Sequence, residues 1–198
     1  MVDNLSKAYK ARILRSVSFT LDAGQGLGVL GFNGCGKTTL LDIIAGLRKQ
    51  DGGSYSTTTA IGYVMQKSGF QEGLSCLDNL RLEAALCGLR GEISKERIGL
   101  CIDDCQLESF IRKKAGKCSV GMRARLAIAL SLIPNPGLLL LDEAFVSLDE
   151  TSKSHIIDVL KKRKGSGMAI LMVSHSMEDF PGLCERALRF PDEEVVEL

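Results

Sequence analysis

The sequence predicts an α/β fold: a mainly parallel sheet, an antiparallel β edge and an inserted helical block. Three observations predict it. Gly26–Leu30 is a short apolar strand that runs into the glycine-rich stretch Gly31–Thr39, and Leu40–Leu47 continues as a helix. Leu138–Leu141 are four consecutive leucines, the mark of a strand buried on both faces of a parallel sheet. From Ser75 to about Leu132 the apolar residues recur at helical spacing with no strand signal between them.

The glycine-rich stretch reads Gly31-Phe32-Asn33-Gly34-Cys35-Gly36-Lys37-Thr38-Thr39 and satisfies G-x-x-x-x-G-K-[ST]. Strand, loop and helix in that order turn a pattern match into a phosphate site. Glycines at 31, 34 and 36 let the backbone wrap an anion and turn its N–H groups inward. The start of the following helix adds its positive end to the same spot. Lys37 is then placed to neutralise β- and γ-phosphates, and Thr38 to offer its hydroxyl to Mg²⁺. Asn33, Gly34, Cys35, Gly36, Lys37, Thr38 and Thr39 are the candidate nucleotide contacts of this loop. A glycine-rich turn that binds nothing is the rival reading, and the flanking strand and helix weigh against it.

The chain has 198 residues, enough for one core of ordinary size with an inserted subdomain. Lys+Arg 25 against Asp+Glu 24 leaves a net charge of +1, so no global charge favours nucleic acid. No apolar run approaches the roughly 18 residues of a membrane span, and the first residues lack a signal-peptide pattern. The expected location is the cytosol. Seven cysteines, at 35, 76, 87, 101, 105, 118 and 184, contain no C-x-x-C pair and lie far from His155 and His175. They read as reduced thiols rather than a metal framework, and Cys101 and Cys105 share one helix face. Cys35 differs by lying inside the phosphate loop, where modification of its thiol is expected to block nucleotide binding.

Along the chain, Leu5–Leu21 alternates polar and apolar, with Ile13, Val17, Phe19 and Leu21 spaced as on a half-buried strand; this is the antiparallel edge. Tyr9 stands in it and reads as well as an edge-strand aromatic as anything else. Tyr55–Thr59 looks strand-like, and Ala60–Met65 is a second buried strand that ends at Gln66. A polar loop spans 67–73. In the helical block Leu77, Leu80, Leu82, Ala85, Leu86 and Leu89 fit one apolar face, while Ile98, Ile102, Leu107 and Ile111 fit others. Arg112-Lys113-Lys114 with Lys117 reads as a solvated helix end.

Cys118-Ser119-Val120-Gly121-Met122 precedes a long helix, Arg123–Ile133. Ser119 is a plausible N-cap, which makes the helix start a second anion site. Pro134–Gly137 breaks that helix, and the leucine strand then delivers Asp142 and Glu143 to its carboxyl end, where α/β sheets bind ligands. Paired carboxylates there are costly unless a cation compensates. Asp142 suits a Mg²⁺ contact and Glu143 suits orienting or deprotonating an attacking water. Thr151–Lys162 is a further helix. Ala169–Val173 is the next buried strand, and it brings Ser174-His175 to the same edge, where His175 can touch a γ-phosphate. The tail 191–198 reads as a short acidic end.

Taken together these residues resemble the nucleotide-binding domain of ATP-binding cassette (ABC) transporters, over essentially the whole chain and in that family's motif order. The resemblance implies a P-loop NTPase (RecA-like) core over 1–66 and 136–198, with a helical signature subdomain over 67–135, in a single ABC ATPase domain. It implies Tyr9 against adenine, Gln66 at metal and water, and Glu143 as general base with His175 on the γ-phosphate. Metal contacts fall to Thr38, Gln66 and Asp142, and Val146-Ser147-Leu148-Asp149 matches the D-loop. Ser119 and Gly121 keep the signature groups that contact γ-phosphate across a dimer. The signature departs from Leu-Ser-Gly-Gly-Gln at Val120, whose β-branched side chain stands where close approach is expected; Met122-Arg123 is similar to a variant of ABC-2 type exporters.

The function so implied is an ATP-binding and hydrolysing subunit that powers transport, in the export direction, through a separate membrane permease. Its ligands are ATP and Mg²⁺; its partners are the permease and a second ABC ATPase subunit, identical or different, with no nucleic acid. It sits peripherally on the inner face of the membrane, with 66 and 70–74 as the coupling surface. Three alternatives stay open on sequence alone: a weakly hydrolysing partner in a heterodimeric complex, a non-transport ABC ATPase, and a P-loop kinase for a small molecule.

Overall fold

The computed structural model describes residues 1–9, 12–66, 69–175, 177–180 and 182–198. In chain order the elements are β1 (Val2–Ala8), β2 (Arg12–Phe19), β3 (Gly26–Leu30), α1 (Lys37–Ile44), β4 (Gly52–Tyr55), β5 (Ile61–Val64), α2 (Cys76–Leu86), α3 (Gly91–Cys105), α4 (Val120–Leu132), β6 (Leu138–Asp142), α5 (Glu150–Gly165), β7 (Ala169–Val173), β8 (Arg186–Arg189) and β9 (Glu194–Glu197). They form two sheets. One is three-stranded in the order β2-β1-β4, with antiparallel pairing. The other runs β5-β6-β7-β3-β8-β9 and is parallel up to its last strand.

The four leucines of β6 explain the layering. Leu140 faces one side of the large sheet, joining Leu40, Leu41, Ile43 and Ile44 of α1 and Leu5, Leu14 and Val17 of the small sheet. Leu139 and Leu141 face the other, against Leu126, Leu130 and Ile133 of the α4 region and Ile156 and Leu160 of α5. Alternate side chains of one strand thus enter two cores, and both faces are dry. Gly26 and Gly28 of β3 reflect a close crossing. A Cβ on Gly26 would stand 1.7 Å from the Leu183 carbonyl, and one on Gly28 2.7 Å from the Phe180 ring.

Several expectations need correction. The strand expected at 55–59 is β4 and lies earlier, at Gly52–Tyr55, because its register is set by pairing with β1. The apolar face predicted for α2 is only partly used: Leu80 and Ala84 are buried, but Leu82, Ala85 and Leu86 are exposed, since α2 packs on α3 and α4 along a narrow stripe. α4 begins at Val120, three residues before the predicted start, because Ser119 caps it. In β2 it is Leu14, not Ile13, that is fully buried, following register shifts along the β1–β2 pair. The acidic tail is a strand: β9 adds antiparallel to β8, with Glu194 opposite Arg189 and Glu197 opposite Arg186 in the register. The preceding turn residue Glu193 accepts hydrogen bonds from two successive amides of β2, Arg15 N at 2.6 Å and Ser16 N at 2.7 Å. Lys67 and Ser68 of the predicted 67–73 loop lie outside the described residues. Among those described, no helix is long and apolar enough to cross a membrane.

Candidate functional site

The site lies at the carboxyl ends of β3, β6 and β7, where the parallel strands hand over to loops. The loop after β3 turns through Gly34 at φ 82° and Gly36 at φ 111°. Gly36 needs glycine twice over, since a Cβ would meet Ile13 Cγ2 at 2.5 Å. Gly36 also caps α1, with no side chain bonded to the helix start and no acid in its first turn. The first amides of α1 therefore stay available to an anion from outside. Lys37 is buried, and its Nζ donates to the carbonyls of Gly31 at 2.7 Å and Phe32 at 3.0 Å. The loop's own oxygens hold that charge over the turn.

Thr38 Oγ1 donates to Asp142 Oδ2 at 2.7 Å. Asp142 is 2% exposed, and burial raises its pKa above the usual carboxylate range despite the Thr38 hydrogen bond. Its other oxygen, Oδ1, is buried without a hydrogen-bond partner among the described residues. A lone buried carboxylate oxygen beside a threonine hydroxyl is the hard donor chemistry that Mg²⁺ takes. Glu143 follows in the left-handed region at φ 53°, a conformation that costs of order 1–3 kcal/mol in a non-glycine residue and that clusters at functional sites. Its Oε1 lies 2.6 Å from His175 Nε2, and Gln66 Nε2 donates to Oε2 at 3.5 Å. Three separate segments thus meet at one carboxylate.

The resulting cleft, of about 410 Å³, is lined by Ile13, Asn33, Gly34, Gly36, Lys37, Thr38, Thr39, Gln66, Glu143 and His175. Most of the predicted residues are brought together there, and some are not. Cys35 turns away: its thiol is buried with Phe190 behind the loop, 2.7 Å from where a Cβ on Gly31 would be. Tyr9 lies beside Arg48, which donates to its hydroxyl and stands 5.5 Å from its ring centroid, and does not line the cleft. Ser119 caps α4 by accepting from Met122 N at 3.3 Å, and Gly121 packs close to the Ser147 carbonyl. Neither of these lines the cleft. A neighbouring groove of about 370 Å³ does join Val120 and Arg123 of α4 to Gln66, Asp142 and Glu143. Asp149 is engaged as the N-cap of α5, accepting from Ser152 N at 2.9 Å. Ile13 is a cleft residue that the sequence marked only as a strand position; no local motif singles it out.

Comparison with known proteins places this geometry. The ABC transporter family profile matches residues 14–146. The linearmycin resistance ATP-binding protein LnrL of Bacillus subtilis (strain 168) is 32% identical over 197 residues, which cover 93% of this chain and 63% of LnrL. The chain therefore spans a little under two thirds of that relative. The O-antigen export system ATP-binding protein RfbB of Klebsiella pneumoniae is 31% identical over 185 residues, covering 93% of this chain and 75% of RfbB. Among solved structures, the dimeric structure of MJ0796, a bacterial ABC transporter cassette, superposes with a TM-score of 0.90 at 26% identity, covering all of this chain (100%) and 97% of that one. The same cassette is known as a dimer in a post-hydrolysis state bound to ADP and Pi. With the phosphate loop, the paired carboxylates and the fold all in agreement, the chain belongs to the ABC transporter family of ATP-binding cassettes.

Proposed function

We propose that this chain is the ATP-binding and hydrolysing subunit of an exporter, working on a separate membrane permease at the cytoplasmic face as one half of a nucleotide-bridged pair. The observation that carries the reading is the convergence of Lys37, Thr38, Gln66, Glu143 and His175 on one cleft at the sheet's carboxyl edge. ATP's phosphates would take the open amides of α1 together with Lys37 and the loop residues Asn33, Gly34, Cys35, Gly36 and Thr39, with Cys35 contributing only its backbone. Thr38 and Asp142, with Gln66 alongside, would hold Mg²⁺, which supplies charge neutralisation at the phosphates. Glu143 accepts the proton of the attacking water, and His175 and Gln66 fix its carboxylate in place and meet the γ-phosphate and water. Tyr9, held by Arg48, stacks on adenine.

Ser119 and Gly121 lie outside the chain's own cleft, and the resemblance to ABC cassettes assigns them to the γ-phosphate in the site of a second subunit. That partner is a copy of this chain or a related cassette. The dimeric state of MJ0796 supports this arrangement, and the O-antigen export system to which RfbB belongs supports the direction of transport. The test is phosphate release by the purified chain with Mg²⁺ and ATP. Glu143→Gln is expected to lower turnover about 100-fold or more while ATP binding persists; a variant that turns over at the wild-type rate would remove Glu143 from the role of base.

A further inference from the structure

Two of the cysteines face each other inside the helical block, away from the phosphate loop. Cys76 Sγ and Cys118 Sγ are 3.6 Å apart, and both residues are buried. Cys76 opens α2, and Cys118 stands one residue before Ser119, the cap of α4. The two segments are already tied by backbone. Cys76 N donates to Lys113 O at 3.0 Å, Ala115 N donates to Leu74 O at 2.9 Å, and Ser75 pairs with Lys114 in an antiparallel bridge. Hydrogen-bonded main chain therefore holds the sulfurs in contact. A bond of about 2.05 Å needs them to close by only about 1.5 Å, a small local movement. No step of ATP hydrolysis uses either thiol.

We propose that Cys76 and Cys118 form an oxidisable dithiol site, closed to a disulfide by a small peroxide, and that closure displaces the capped start of α4. One sulfur, as thiolate, attacks a peroxide oxygen. The O–O bond breaks, a sulfenic acid forms, and the released hydroxide takes the first thiol's proton and leaves as water. The second sulfur attacks the sulfenic sulfur; the S–S bond forms, the S–O bond breaks, and hydroxide departs with the second proton as water. The dithiol loses two electrons in all, and hydrogen peroxide is reduced to two waters. Burial limits the oxidant to a molecule of that size. Burial pushes the Cys76 thiol up, with its hydrogen bond to Cys118 acting the same way, so little thiolate is present at neutral pH and closure is slow.

Cys118 is covalently joined to Ser119, so drawing its sulfur toward Cys76 strains the hydrogen bond from Met122 N to Ser119 Oγ, already long at 3.3 Å. The effect on turnover rests on the proposed role of Ser119 in a second subunit's site; the bond itself does not. The test treats the full reduced chain with hydrogen peroxide and follows two readouts. Mass spectrometry of a non-reducing digest is expected to show a peptide linking Cys76 to Cys118, reversed by dithiothreitol and missing in Cys118→Ser. Amide exchange at 120–123 is expected to rise about fivefold in the linked form as the cap loosens, and phosphate release to fall by a similar factor. No linked peptide, or a linked peptide with unchanged exchange at 120–123, overturns the proposal. Loss of phosphate release already in the reduced protein would instead count against the proposed function, and the peptide and exchange readouts would still decide this site.

Discussion

Asp142 carries the most legible tension in the molecule. It is buried, one oxygen bonds Thr38, and the other has no partner among the described residues. Burial raises its pKa, so the folded chain binds this proton more tightly than the unfolded one. The sign follows: as pH rises from the ordinary value of 3.8 through the raised value, ionisation of Asp142 takes stability away from the fold. Asp142→Asn removes that titration. The stability difference, variant minus wild type, is expected to grow between about pH 4 and neutrality in urea unfolding without nucleotide. The same variant should lose most of the thermal stabilisation that Mg²⁺ with ATP gives wild type, by ligand linkage. Residues of this kind were readable because the motif is contiguous: strand, loop, lysine and threonine follow one another, as do four leucines and two acids. Ile13 was not readable as a cleft residue, since only the folding of β2 over the loop brings it to Gly36.

Helix starts and strand crossings are where this chain departs from expectation. Val120 occupies the first turn of α4, is 57% exposed, and lines the groove that leads to Gln66 and Glu143. Replacing it by glycine removes a branched side chain from the surface that the proposed pairing would cover, at a helix cost of about 1 kcal/mol or less. Val120→Gly is expected to raise phosphate release of the paired protein severalfold while its melting point drops slightly; an equal or lower rate would assign the residue no part in closure. In β3 the argument runs the other way. Gly26→Ala forces a methyl into the Leu183 carbonyl, and the resulting strain should cost more than about 3 kcal/mol, visible as a lower urea midpoint. Nothing local in β3 says what approaches its glycines, because Leu183 and Phe180 come from far along the chain. The tail shows the same limit. Its glutamates read as a solvated end because the pairing of β9 with β8, which sets them opposite Arg186 and Arg189, is seen only once the two strands lie side by side.

At the scale of the whole molecule, one cleft is built from both ends of the chain, and its proposed completion comes from a second subunit. The loops at the carboxyl edge of the parallel sheet and the start of α1 supply Lys37, Glu143 and His175, and the helical block presents Ser119 and Gly121 at a capped helix start elsewhere on the surface. A chain so divided is expected to pair when hydrolysis is blocked. Glu143→Gln with ATP should sediment as a dimer and return to monomer on nucleotide removal, whereas a monomer under saturating ATP would mean that it needs a different cassette as partner. The α/β class, the parallel core and the helical insertion were all legible, because apolar period and chain order carry them. The division of labour between sheets was not, because it depends on contacts that cross the length of the chain.

Glu193 shows what such a contact implies. Its carboxylate closes on Arg15 N and Ser16 N, two residues beyond the wall position Ile13, and so rivets the last hairpin to the outer edge of the small sheet. One wall of the cleft is thus tied down by an acid that does not itself line it. Without that rivet the edge strand that carries Ile13 loses two hydrogen bonds, and the chain is expected to hold a triphosphate less tightly although the other lining groups are intact.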